Sequence, residues 1–87
     1  MDSRTTRQFR EAFAALPEEV RRHARRAYQL FRADPSHSSL RFKKVDEVSN
    51  TYSVRIGLAY RALGVMQGST VVWFWIGSHA DCDRLLS

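Results

Sequence analysis

The spacing of apolar residues changes once along this chain, at "DPSHSS", residues 34–39. Before that stretch apolar side chains recur every three to four residues; after it they alternate. A helix and a strand bury different stripes, so the switch commits the chain to helices first and sheet second. That order predicts an α+β fold in which helices cover one face of a mainly antiparallel sheet. With 87 residues, a single domain spanning 1–87 is expected rather than two.

In the helical part, Phe9, Phe13 and Leu16 fall at i, i+4 and i+7, giving a helix from about Thr6 to Ala15 one apolar face. Pro17 ends it and opens a second helix, where Glu18 and Glu19 sit at the positive end of the helix dipole. The second helix is predicted to run to about Ala33, with Val20, Ala24, Ala27, Tyr28 and Phe31 as its buried stripe. The two helices, joined at Leu16–Pro17, form a hairpin. Beyond the loop, Leu40 and Phe42 alternate with Arg41 and Lys43 in a first predicted strand. "DEVSN" turns the chain, and "TYSVRIG" and "YRALGVM" follow as strands joined around Gly57–Ala59. "TVVWFWI" is apolar on both faces, which marks an interior strand; Trp73 and Trp75 are expected to share one of its faces and pack. Ala80 to Leu86 is expected to add one or two helical turns, capped by Ser78. The sheet should therefore have roughly four strands.

Charge narrows the partners. Residues 1–33 carry eight arginines against four acids, and residues 34–87 carry six basic residues against five acids, for a net +5. This excess favours polyanions, and twelve of the fourteen cations are arginines, whose rigid fork suits phosphate. The longest apolar run, "VVWFWIG", is far short of the roughly 20 residues of a membrane span, and "MDSRTTRQF" has no apolar signal segment. With its single cysteine, the chain is expected in the cytoplasm, away from membranes.

His79, Asp81, Cys82 and Asp83 crowd the C-terminal end, but no second group at zinc-type spacing accompanies them, and Cys82 reads as a small buried thiol. There is no phosphate-cradling glycine loop and no nucleophile elbow. What remains is a set of basic residues on successive strands, Lys43, Lys44, Arg55 and Arg61, with His79 after the last. A three-residue loop at Gly57–Ala59 would pair Arg55 with Arg61 and point them the same way; a two-residue loop would oppose them. RNA scission by the ribose 2′-hydroxyl needs a base, an acid and cations on the phosphorane, and no metal or other cofactor. Histidine suits the proton steps and arginine the phosphate. Solvated arginines and a turn-capping histidine would give the same spacing.

"YSVRIGLAYRALG" and "VVWFWIGSH", with "LP", "EEV" and "DPSH" ahead of them, resemble the small toxins of the RelE/ParE superfamily of type II toxin–antitoxin modules. The resemblance runs from about Phe9 to Leu86. It implies a small sheet packed on a helical hairpin, with the usual strand ahead of the helices very short or absent, since only "SRTT" precedes them. RelE-like members cut mRNA on the ribosome and ParE-like members inhibit DNA gyrase. The resemblance matches Arg61 to the phosphate-contacting arginine and Arg55 to the basic position one strand earlier. Lys43 or Lys44 matches the basic position on the preceding strand. His79 matches the proton-transfer histidine of the YafQ-like branch. It implies an antitoxin partner and a ribosome-dependent, metal-independent endoribonuclease, or alternatively a non-enzymatic binder of gyrase or of antitoxin alone. Relatives commonly place an aromatic residue, often tyrosine, three positions after the histidine, where it can stack on a base or assist proton transfer; here that position is Cys82, whose thiol does neither well.

Overall fold

Thr6 stops one element and starts another. Ahead of it, a short strand β1 (Asp2–Thr5) hydrogen-bonds into the sheet; after it, α1 (Arg7–Ala14) begins, its first turn capped by the Thr6 hydroxyl, which accepts from Phe9 N at 3.1 Å. The computed structural model describes residues 1–86. α2 (Glu18–Ala33) follows Pro17, with Glu18 and Glu19 in its first turn, and buries Ala24 and Phe31; Tyr28, expected in the stripe, is 45% exposed. The remaining elements are a 3₁₀ turn at Ser38–Leu40, β2 (Lys43–Asp46), β3 (Thr51–Ile56), β4 (Tyr60–Gln67), β5 (Thr70–Ser78) and α3 (His79–Leu86). Ser78 caps α3, its Oγ accepting from Asp81 N at 3.1 Å.

Among the described residues the sheet has five strands in the order β1-β5-β4-β3-β2, antiparallel except for β1, which runs parallel to β5. The fold class is α+β, with one strand more than the alternation in the sequence reveals. β1 carries no apolar residue; its sequence, DSRT, is held by backbone pairing and by Trp73, whose indole N–H donates to Ser3 Oγ at 3.4 Å. The strand expected at Leu40–Lys43 starts later. Arg41 takes a left-handed conformation, φ 46°, which breaks the extended backbone and leaves Leu40 buried in the 3₁₀ turn.

α1 lies against β5 and α2 against β3, on the same side of the sheet. The core between them is built from Phe31, Val54, Ile56, Ala62, Val71, Trp73 and Ile76, with Leu40 closing one end. Phe31 meets Trp73 and Phe42 edge to face, with ring centroids 5.6 and 4.9 Å apart. Trp73 and Trp75, however, do not share a face. On β4 the neighbours Leu63 and Gly64 pair with Trp75 and Trp73, so Phe74 is an extra residue, a β-bulge. The bulge shifts the alternation by one. Trp73 stays over the core, where a side chain at Gly64 would strike it at 2.7 Å, and Trp75 turns to the other face.

Candidate functional site

The face away from α1 and α2 collects the basic strand residues. The β3–β4 loop is three residues long, and Arg55 and Arg61 are direct register partners, so both guanidinium groups leave the sheet on this side. Arg61 in turn stands opposite Gly77 on β5. Gly77 has to be bare: a Cβ there would lie 2.6 Å from the Trp75 ring, which therefore rests over it on the Arg61 side. Arg55 Nε donates to the Gly57 carbonyl at 2.9 Å, which ties down the root of its guanidinium and leaves the terminal amino groups unengaged. The left-handed φ of Gly57, +59°, turns the chain there. Neither arginine forms an ion pair among the described residues. Arg61 Nη1 is buried without a hydrogen-bond partner, a costly state for a charged donor.

The lysines separate. Lys43 pairs with Ser53, which shares the face of Arg55, so Lys43 stands on the arginine side of the edge strand. Lys44 pairs with Tyr52 on the helix side, its Nζ 5.7 Å from that ring and 3.5 Å from Glu47. The crowded C-terminal cluster also resolves. Asp81 pairs with Arg84, and His79 Nε2 lies 3.3 Å from Asp83 one helical turn on, with the histidine side chain 46% exposed. The His79 amide donates to the Ala59 carbonyl at 2.6 Å, fastening the start of α3 to the β3–β4 loop beside Arg61. Among the described residues no group of three or more His, Cys, Asp or Glu is placed to hold a metal.

Cys82 turns inward and is 3% exposed, so it offers nothing to a substrate. Burial is the main force raising its thiol above the ordinary value; the charge of Asp83 adds to this and the nearby Arg61 opposes it. A hollow of about 610 Å³ lies on the opposite side, between α1, α2 and the sheet. It is lined by core residues such as Phe13, Phe31 and Ile56, with Arg10, Arg25 and Arg32 among the few charged groups around it. Its lining includes none of Arg55, Arg61 and His79. No helix is long and apolar enough to cross a membrane among the described residues. Sequence reasoning put Trp75 in the core and read Asp83 only as a metal candidate. The bulge that turns Trp75 has no sequence signature beyond the bare Gly77 two residues later.

The model of the ParE-like toxin domain matches residues 18–83. The chain belongs to that family, and so to the RelE/ParE superfamily of toxins from type II toxin–antitoxin systems. Among solved structures, the fold is similar to that of the RelB–RelE antitoxin–toxin complex from Methanococcus jannaschii, with TM-score 0.74, 16% identity and 97% of this chain covered against 99% of the other. YafQ from E. coli BL21(DE3) gives TM-score 0.72 at 8% identity, covering 93% and 96%. The toxin–antitoxin complex RelBE2 from Mycobacterium tuberculosis gives 0.62 at 27% identity, covering 90% and 96%. No curated protein sequence matches.

Proposed function

We propose that this toxin is a ribosome-dependent, metal-independent mRNA endonuclease that is neutralised by a cognate antitoxin in the cytoplasm. The observation that carries this reading is the Arg55–Arg61 pair, two guanidinium groups in register on one sheet face with no ion pair among the described residues, and His79 anchored at the end of the adjoining strand. Arg55, whose terminal amino groups are unengaged, would hold one phosphate oxygen, and Arg61 would hold the second by swinging its guanidinium out of the position in which Nη1 is buried. As the 2′-hydroxyl attacks phosphorus and charge builds on the phosphorane, both cations hold that charge. His79 transfers the proton, as base to the 2′-hydroxyl or as acid to the leaving 5′-oxygen, with Asp83 placed to orient its ring. Lys43 adds positive charge from the edge strand; Lys44, turned to Tyr52, does not. A translation extract tests this: programmed ribosomes should yield cut mRNA with the wild type and intact mRNA with His79→Ala or Arg61→Ala.

A second reading is favoured by two observations. The matching family model is the ParE-like one, and the inward Cys82 leaves α3 without an aromatic at that position. On that reading the chain is a gyrase inhibitor or binds only its antitoxin. Inhibited supercoiling with intact mRNA would support the former; antitoxin binding with neither effect would support the latter.

A further inference from the structure

We propose that Trp75 is the surface on which a nucleobase of the RNA substrate stacks, beside the phosphate gripped by Arg61 and Arg55. This rests on the nuclease reading and adds to it a binding residue that α3 does not supply. The two tryptophans of β5 show the reasoning. Trp73 is 5% exposed, its ring engaged by Phe31 and Phe42 and its N–H by Ser3. Trp75 is only half-buried, belongs to no aromatic cluster, and has an N–H that reaches solvent without a protein partner among the described residues.

Its placement is specific. The Phe74 bulge turns it onto the arginine face, and the missing side chain of Gly77 lets the six-membered ring lie down over the residue that pairs with Arg61. An indole with Arg61 on the neighbouring strand and Arg55 one strand further is what a single-stranded nucleic acid engages: cations take the backbone, and a flat ring takes the base. Stacking on every base but most strongly on purines, such a platform gives a modest purine preference rather than a strict code.

The test uses programmed ribosomes whose A-site codon carries 2-aminopurine next to a scissile linkage blocked by a 2′-deoxyribose. Wild-type protein should quench the 2-aminopurine emission as the base stacks. Trp75→Phe should keep most of the quench, and Trp75→Met, an apolar chain of similar reach without a ring, should lose it. On unblocked codons, Trp75→Met should slow single-turnover cleavage about tenfold or more, and Trp75→Phe by about threefold or less. Melting curves of the three proteins separate this from a packing defect. An unchanged quench and rate in Trp75→Met overturns the stacking role while leaving the nuclease intact. Absence of both quench and cleavage in the wild type overturns the nuclease reading and the stacking role with it.

Discussion

Facing the helices, Val54, Ala62 and Ile76 stand in register across three strands, all buried; one residue along, Arg55, Arg61 and Gly77 stand in register on the opposite face. On the first side each strand gives a side chain that helices cover. On the second, two strands give cations and the third gives no side chain at all. At this rung of the ladder core and candidate site are separated by a single step of the pleat, although, two residues on, the arginine face also buries Leu63. Mutations that look equally severe in the sequence should therefore fail in different ways.

The largest separation is expected from His79→Ala and Arg61→Ala, each of which should cut mRNA cleavage by about 100-fold or more, while the urea midpoint stays near wild type for His79→Ala and holds or rises for Arg61→Ala, which removes a buried donor without a partner. Phe31→Ala tests the other face. Removing this ring from beneath Trp73 should cost about 3–5 kcal/mol, seen as a collapse of the denaturation midpoint, with activity lost only through unfolding. The lysine pair gives a smaller, sharper contrast. Lys43→Ala should weaken cleavage about two- to fivefold, the scale of an exposed charge, and Lys44→Ala should leave it unchanged. Equal losses would break the assignment of the two lysines to opposite faces.

The smallest effect concerns Cys82. Because burial raises its folded pKa, the folded state holds the thiol proton more tightly than the unfolded chain does. That contribution is fully present below the unfolded pKa and is lost as pH rises through the folded one. The melting temperature should slip slightly above about pH 8.5, and Cys82→Ser should alter the slope. A thiol reagent should label Cys82 only on unfolding.

Alternation along β3 and β4 was enough to identify both strands but left two registers open, and the three-residue loop of the structure selects the one that pairs Arg55 with Arg61. Thr6, Pro17 and Ser78 marked helix starts through capping and proline chemistry that acts within a few residues. Three features were not legible. β1 has no apolar residue, so no periodicity announces a strand whose pairing is supplied by β5, far along the chain. The Phe74 bulge sits inside a run where every residue is apolar, and such a run cannot show that its alternation has slipped. The choice between Lys43 and Lys44 is made by the pairing of Lys43 with Ser53 and of Lys44 with Tyr52, a register that no turn signature in the sequence fixes.

The outermost strands, β1 and β2, are each only four residues long. β1 presents Asp2 and Arg4; β2 presents two lysines and an aspartate, and its ladder slips between Lys44 and Asp46. Short, charged and irregular borders make poor templates for another chain's backbone. The sheet can expose a cationic face to a polyanion without its margins recruiting further copies into a growing ribbon.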